Sequence, residues 1–253
     1  MEIYMDLDET LWSVDRYLNP KTKQNLAKIA KCHTVVILSN GPLCEMDGLK
    51  AYPLVLVSTL ENRLYHQGNL EEFPLDGLFL HHLFHTYQDF IYTAYSIKDG
   101  QCDVFCYKER LKTFYPGRSL RLVSDFTDSS CLWMAVSKSV LKKITKDICD
   151  HGCFVLNVAE DKNRALLKIS VFDSSKEAWL LRLKKDPLIG IGNDLNDFLF
   201  MRHCKVKVAM QNATATLKEK CDAVTEKNAS EGGAVDFIQD FLTHRPSSTN
   251  NGH

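Results

Sequence analysis

The apolar positions of the chain form two kinds of segment that alternate along the sequence. Continuous apolar runs, several of them rich in β-branched residues, are typical of strands buried on both faces. Such runs lie at residues 2–7, 33–41, 52–58, 186–194 and 205–210. Apolar residues that recur every three or four positions indicate helices with one buried face. These helical patterns lie at residues 21–31, 175–185, 195–204, 215–222 and 234–242. The alternation predicts an α/β fold built on a parallel sheet.

The middle of the chain has a different pattern. Two helices are predicted there, at residues 75–90 and 140–152, and each is followed by strand-like segments. The predicted strands lie at residues 91–97, 102–108, 153–159 and 165–172. A helix with two strands, given roughly twice, predicts an α+β module with an antiparallel sheet, inserted between the two halves of the α/β domain.

These patterns divide the chain into three regions. We expect a discontinuous core domain of residues 1–72 and 172–244 and an inserted α+β domain of residues 73–171. Residues 245–253 are polar and have no periodicity, so we expect a disordered tail.

Composition narrows the range of partners. The 253 residues include 31 basic and 32 acidic side chains, a net charge of -1, which gives no electrostatic reason to expect nucleic acid or an anionic membrane. We find no leader pattern and no apolar run long enough to span a bilayer. The nine cysteines are scattered and lack CxxC spacing, so we expect reduced thiols in a cytoplasmic protein.

Two carboxylates follow the first apolar run almost at once. Asp6 and Asp8 are two positions apart, so on an extended backbone their side chains face the same way. Carboxylates this close repel unless a cation lies between them or one holds a proton. Mg²⁺ favours such oxygen ligands, and a protonated carboxyl can act as a general acid. The alternative is a solvated acidic turn after an edge strand.

Three further polar stretches carry candidate chemistry. A hydroxyl and the backbone N–H groups that follow a strand can hold phosphate oxygens, a lysine can neutralise their charge, and clustered carboxylates and amides can complete a magnesium shell. These stretches are Ser39-Asn40-Gly41, the helix start with Lys176 in residues 173–178, and residues 190–197. Each alone is also explained as a common turn, a solvated lysine or a polar loop.

The order of the four stretches resembles the motifs of the haloacid dehalogenase-like (HAD) hydrolase superfamily. The resemblance is to its Cof-like, sugar-phosphate phosphatase branch, in which a C2-type (IIB) α+β cap is inserted between the second and third motifs of a Rossmann-like core. It covers nearly the whole chain. Residues 205–242 resemble the C-terminal signature of that branch, and residues 57–68 resemble its segment just before the cap.

The resemblance implies a role for each motif residue. Asp6 would attack phosphorus and form an aspartyl-phosphate, Asp8 would protonate the leaving oxygen and later activate water, and Lys176 would neutralise charge. The residues implied to bind phosphate are Thr10, Ser39, Asn40, Lys176 and Asn196. Those implied to hold Mg²⁺ are Asp6, Asp8 (through its backbone carbonyl), Asn193, Asp194 and Asp197. The implied activity is magnesium-dependent hydrolysis of a small phosphorylated metabolite, most plausibly a sugar phosphate.

The sequence departs from the family pattern at three places. Glu9 stands where motif one usually has glycine, and Asn193 stands where motif four usually begins with aspartate. The usual Thr-Gly-Arg of motif two reads Ser39-Asn40-Gly41, without the arginine. A catalytically weakened protein that binds a phosphorylated ligand or a protein partner is therefore the alternative. A phosphoprotein phosphatase is a minor one, because DLDET also resembles the phosphatases of the RNA polymerase tail. The sequence does not indicate an oligomeric state.

The first predicted helix of the inserted domain is rich in histidine and phenylalanine. His81 and His85 have the i, i+4 spacing of metal ligands, but no carboxylate partner is evident for them or for His82, so we expect ordinary helix residues. Phe79, Phe84 and Phe90 are expected in the hydrophobic core rather than on a stacking surface.

Overall fold

The computed structural model describes residues 1–105, 119–123, 126 and 129–244. The predicted disordered tail, residues 245–253, lies outside these residues. The strands are β1 Glu2–Asp6, β2 Thr34–Ser39, β3 Val55–Ser58, β4 Arg63–His66, β5 Asn69–Glu72, β6 Ile91–Lys98, β7 Gln101–Phe105, β8 Ser119–Leu122, β9 Cys131–Ser137, β10 Phe154–Glu160, β11 Arg164–Ser170, β12 Pro187–Gly192, β13 Val206–Ala209 and β14 Ala223–Val224. The helices are α1 Pro20–Cys32, α2 Gly77–Tyr87, α3 Leu141–Asp150, α4 Lys176–Leu183, α5 Phe198–Met201, α6 Ala215–Lys218 and α7 Gly233–His244.

An eight-stranded sheet has the order β14-β13-β12-β1-β2-β3-β4-β5. β1 lies between β12 and β2 and pairs in parallel with both, with Met5 opposite Ile191 and Asp6 opposite Leu38. The carboxyl ends of these three strands therefore meet at one edge of the sheet, where open α/β sheets bind ligands. The α/β fold and its parallel-rich sheet are confirmed.

Helix α1 shows why the local signals in the sequence were reliable. The Asn19 side chain accepts a hydrogen bond from the Thr22 N–H, and Pro20 begins the helix, where a missing N–H costs nothing. Leu26 and Ile29 are buried, as the spacing predicts. Capping and amphipathic spacing therefore mark where the helix lies, and burial of its apolar face stabilises it.

A second sheet has six strands, in the order β10-β11-β9-β6-β7-β8. The pairs β10–β11, β11–β9, β9–β6 and β6–β7 are antiparallel, but β7 and β8 are parallel, with Gln101 opposite Ser119. The predicted antiparallel sheet is therefore found in four of the five strand pairs and was wrong for β7 and β8. Parallel pairing needs a connection longer than a hairpin turn, and the chain from 106 to 118 supplies that length.

Helices α2 and α3 share a hydrophobic cluster with this sheet. The cluster contains Leu80 and Leu83 from α2, Ile144 and Ile148 from α3, and inward-facing strand residues such as Met134. Phe79 and Phe84 lie in it, as predicted, and are 5% and 9% exposed. Phe90 does not, since it is 40% exposed where the chain leaves α2 for β6.

The hairpin of β4 and β5 was not predicted. Its turn places Gln67 at φ 50° and Gly68 at φ 87°, the left-handed conformations of a two-residue hairpin turn. Both strands have four residues, and β5 is exposed along its whole length.

The chain divides into two compact units. One comprises Met1–Leu38, Tyr52–Val55 and Leu180–His253, and the other comprises Ser39–Ala51 and Leu56–Trp179. Within the described ranges, no helix is both long and apolar enough to cross a membrane. The eight cysteines that the structure describes are all free thiols.

Candidate active site

The first candidate nucleophile stands at the end of β1. Asp6 is the last residue of the strand and is 5% exposed. The backbone then turns sharply, because the Leu7 carbonyl accepts hydrogen bonds from the N–H groups of Thr10, Leu11 and Trp12. This turn returns Thr10 to the strand end, where its hydroxyl donates to Asp6 Oδ2 at 3.2 Å.

Asp8 lies on the outer side of the same turn. It is exposed, and its Oδ1 accepts a hydrogen bond from the Trp12 indole Nε1–H at 2.9 Å. Because Trp12 is buried, its indole is fixed, and the hydrogen bond holds the Asp8 carboxylate in one orientation. Sequence reasoning missed the role of Trp12, although the spacing of four residues within one turn was a usable signal.

Glu9 has an unusual backbone conformation. Its φ is 55°, in the left-handed region that glycine adopts without steric cost. The Asn212 side chain donates a hydrogen bond to the Glu9 carbonyl at 2.9 Å and holds this conformation. The glycine that the family usually has here is therefore explained by the turn itself, and Glu9 retains the turn at a conformational cost.

Motif four is arranged around the buried carboxylate of Asp197. Its Oδ2 accepts hydrogen bonds from the N–H groups of Asn193 and Asp194, both at 3.1 Å. Asp194 is exposed, and its Oδ1 accepts from the Leu195 N–H, so the two aspartates cap the short turn Leu195–Asp197 reciprocally. Asp197 thus shapes the loop, a role that motif reasoning did not assign to it.

Gly192 is required by this packing. A Cβ at this position would lie 2.4 Å from Asp197 Cβ, a separation that side chains do not tolerate. The strand β12 therefore ends in glycine because the motif-four carboxylate occupies the space of a side chain.

Motifs one and four meet at Thr10. Its hydroxyl lies 3.2 Å from Asp6 Oδ2 and 3.4 Å from Asn193 Oδ1. Three oxygen atoms are thus grouped at the carboxyl ends of two adjacent parallel strands. Asn196, a predicted phosphate ligand, is exposed in the same loop as Asn193.

Motif two forms a separate group of contacts. Ser39 is buried, and its Oγ accepts a hydrogen bond from the Gly41 N–H at 2.9 Å. Asn40 is exposed, and its Oδ1 accepts from the Thr59 hydroxyl at 2.7 Å. The Thr59 N–H in turn donates to the Ser39 carbonyl at 2.8 Å. Thr59 therefore holds both predicted phosphate-binding residues of this motif.

Lys168 on β11 completes this group. Its Nζ donates a hydrogen bond to the Thr59 carbonyl at 2.7 Å and lies 5.4 Å from the centre of the Trp133 ring. Burial lowers the pKa of Lys168 below its ordinary value. Lys168 therefore contacts the residue that holds Ser39 and Asn40, and no sequence motif indicated it.

Lys176 begins helix α4, as the sequence predicts. The Ser175 N–H donates to Asp173 Oδ1 at 2.9 Å, and Ser175 Oγ accepts from the Ala178 N–H at 3.2 Å. Ser175 is therefore the N-cap, and the half-buried Lys176 is the first helical residue. A cation at this end opposes the helix dipole, which favours an anion there.

The structure thus brings the predicted residues together in three groups. Asp6, Thr10 and Asn193 form one, continuous with Asp194 and Asp197; Ser39 and Asn40 form a second through Thr59; and Lys176 stands at the start of α4. The assigned functions of these residues, and the convergence of the three groups on one ligand, stay predictions.

The chain is similar to several known proteins. Residues 137–238 match the family described as haloacid dehalogenase-like hydrolase. Similar structures include a haloacid dehalogenase-like hydrolase from Bacteroides thetaiotaomicron, with 16% identity and a TM-score of 0.63, covering 95% of this chain and 98% of that one. Another is a HAD subclass IIB sugar phosphatase, with 16% identity and a TM-score of 0.56 over the same shares of the two chains.

One curated relative matches over a shorter segment. It is a phosphoglycolate phosphatase from Staphylothermus marinus, 33% identical over 64 residues. The match spans 25% of this chain and 26% of that protein, so about a quarter of either length is compared.

Residues 137–238 thus resemble the haloacid dehalogenase-like hydrolases, and the chain shares the fold of the two solved HAD structures, one of which is of subclass IIB. The resemblance predicted from the motifs is confirmed.

Proposed function

We propose that this protein is a magnesium-dependent phosphatase that hydrolyses a small phosphorylated metabolite through an aspartyl-phosphate on Asp6. The observation that carries the proposal is the grouping of the Asp6 carboxylate, the Thr10 hydroxyl and the Asn193 amide oxygen at the ends of β1 and β12. The phosphatases among the relatives support the same reaction class.

The roles of the two motif-one carboxylates follow from their surroundings. Asp6 is buried at the strand end and is the proposed nucleophile, attacking phosphorus as the P–O bond to the leaving group breaks. Asp8 is exposed and oriented by Trp12, so it is placed to give a proton to the leaving oxygen and then to take one from the attacking water. That water releases phosphate and regenerates the Asp6 carboxylate.

The donor set of this group fits magnesium. Asp6, Thr10 and Asn193 offer oxygen atoms only, which is the preference of a small hard cation. We propose Asp6, the Asp8 carbonyl and the motif-four residues Asn193, Asp194 and Asp197 as the holders of the ion. When bound, Mg²⁺ would supply positive charge that keeps the nucleophile ionised and stabilises the phosphoryl oxygens. Because Asp197 already accepts two backbone N–H groups, we expect it to fix the loop as well.

The remaining motif residues are proposed to hold the phosphoryl group. Ser39 and Asn40, fixed by Thr59, together with Thr10 and Asn196, would bind its oxygens, and Lys176 would neutralise its charge. We propose that residues 73–171 form a cap that selects the leaving group, with a sugar phosphate as the substrate class, and that residues 1–72 and 172–244 form the core. A cytoplasmic location is supported by the eight free thiols, two of which, Cys32 and Cys149, are exposed.

The direct test compares wild type with Asp6→Asn on an aryl phosphate and on a panel of phosphorylated metabolites, with and without Mg²⁺. Asp15→Asn is the matched control, because it makes the same change at an exposed carboxylate outside the motif. We expect magnesium-dependent turnover in wild type and the control, and its loss in Asp6→Asn. Equal rates in wild type and Asp6→Asn on every substrate would sink the proposal.

A second function, ligand binding without turnover, is favoured by Glu9 and by the uncharged Asn193. The same panel distinguishes it through melting temperature. A phosphorylated metabolite that stabilises the protein in the presence of Mg²⁺ but is not hydrolysed would establish binding in place of catalysis.

A further inference from the structure

Two histidines and an aspartate meet on the surface of the α+β module, outside the proposed active site. His82 lies on α2, Asp147 lies on α3, and His151 directly follows α3. His82 Nε2 lies 3.0 Å from Asp147 Oδ2, and His151 Nδ1 lies 3.3 Å from Asp147 Oδ1. Sequence reasoning found no carboxylate partner for the α2 histidines, and the structure corrects this for His82.

We propose that His82, Asp147 and His151 form a binding site for a transition-metal dication of the Zn²⁺ type. One nitrogen or oxygen atom from each residue can be chosen so that all three lie within 4.8 Å of one another. Zinc binds imidazole and carboxylate atoms at about 2.0–2.2 Å, so small side-chain rotations would draw the three atoms in around the ion. Two imidazoles and one carboxylate favour Zn²⁺, Co²⁺ or Ni²⁺ over Mg²⁺, which prefers oxygen.

The side chains are held in place before any ion binds. The backbone carbonyl of Asp147 lies 2.8 Å from His151 Nδ1, and because a carbonyl only accepts, Nδ1 donates and the lone pair is on Nε2. This is the arrangement in which a metal-binding histidine donates its other ring N–H to a backbone carbonyl. The Phe79 ring packs at 5.0 Å from the His151 ring, and the Tyr87 hydroxyl donates to Asp147 Oδ2 at 3.1 Å.

The helices that carry the three residues are fixed by the core. Leu80 and Leu83 of α2 and Ile144 and Ile148 of α3 are fully buried in one cluster. A cation bound here would therefore join two helices that are already packed together, with little reorganisation. An ion on His82 Nε2 would take the place of the His82–Asp147 hydrogen bond, with the imidazole neutral and its proton on Nδ1, and three protein ligands would leave a coordination position for water.

The test is a Co²⁺ titration of the full-length protein followed by its visible absorption, with excess Mg²⁺ present to occupy oxygen-ligand sites. The protein carries Cys149→Ser, because this exposed thiol lies on α3 and could bind the ion itself. We expect stoichiometric binding with the bands of a nitrogen–oxygen site and displacement by Zn²⁺. Binding should weaken at least about tenfold in His82→Gln and in His151→Gln.

The matched control is the double variant His81→Ala/His85→Ala. These two exposed histidines lie on the same helix, with ring centres 6.2 Å apart, and are the competing surface pair. Retained affinity in this variant supports the proposed site, whereas lost affinity there, or unchanged affinity in the His82 and His151 variants, overturns it. Melting temperatures without metal verify that each variant folds, and since turnover is not measured, the result does not depend on the proposed phosphatase activity.

Discussion

Glu9 is the residue at which the structure and the proposed chemistry can be tested separately. Its φ of 55° costs an L-residue about 1–2 kcal/mol relative to the right-handed regions. Glycine adopts this φ without that cost. It also makes the unfolded chain more flexible, which lowers the stability by about 0.5–1 kcal/mol. We therefore expect Glu9→Gly to stabilise the protein by about 0.5–1 kcal/mol, a rise in melting temperature of about 1–4 °C.

The same substitution removes a negative charge beside two proposed catalytic residues. Unit charges about 4 Å apart repel by about 1 kcal/mol even in bulk water, so its loss should raise kcat/KM by about threefold to tenfold at low salt. Glu9→Gln removes the charge and keeps the side chain, so it should raise the rate without the thermal gain. The assays are thermal unfolding and magnesium-dependent hydrolysis of an aryl phosphate.

Gln67→Gly is the control for the energetic cost of a left-handed backbone conformation. Gln67 also has a positive φ, 50°, and lies exposed in the hairpin turn between β4 and β5. We expect a similar thermal gain there with no change in rate. A gain in Gln67→Gly without one in Glu9→Gly would refute the conformational argument. An unchanged or lower rate in both Glu9 variants would refute the argument that the Glu9 charge hinders the reaction.

Three other substitutions test separate features. Gly192→Ala should destabilise the protein by about 1–3 kcal/mol in urea unfolding, because its Cβ would overlap the motif-four carboxylate, whereas Gly48→Ala, with no atom within 4 Å of the new Cβ, should change little. Lys168→Met should raise KM by about tenfold and lower kcat by less, because the charged hydrogen bond to Thr59 is worth about 1.5 kcal/mol or more. A tenfold fall in kcat with an unchanged KM would argue against positioning. Hydrogen bonds from the Arg164 side chain, and then from the backbone N–H groups of Asn163 and Arg164, lower the pKa of Asp161 to about 2. Its contribution to stability is therefore present above about pH 4 and lost as the pH falls towards 2. Asp161→Asn should flatten that part of the stability curve, and parallel curves of wild type and variant would contradict this.

Local signals in the sequence were enough for the elements that position motif one. The buried run of β1, the Asn19 cap and Pro20 each act within a few residues, and the predicted elements follow them closely. The hairpin of β4 and β5 was missed because its strands are short and its turn, Gln67-Gly68, lacks the Asn-Gly or Asp-Gly that usually marks such turns. The parallel pair β7–β8 was missed because strand direction depends on a distant connection.

Some residues of the candidate site could likewise be predicted from the sequence, and others could not. Asp6, Thr10 and Asn193 were predictable because strand ends in a parallel sheet meet at one edge. Lys168 was not, since it reaches Thr59 across 109 positions and belongs to no motif. His82 and Asp147, 65 positions apart, were missed for the same reason.

The two outer strands of the large sheet also bear on how copies of this protein behave toward one another. β14 has two residues, and β5 has four exposed residues, including the adjacent acids Glu71 and Glu72. A long, flat, apolar outer strand offers unpaired N–H and carbonyl groups to a second chain and promotes aggregation. Here one border has two residues and the other has four, and the Glu72 carboxylate on the longer one is paired with Arg63 at 2.8 Å. Neither border offers a second copy a long apolar strand to pair with, so both are weak templates for strand addition.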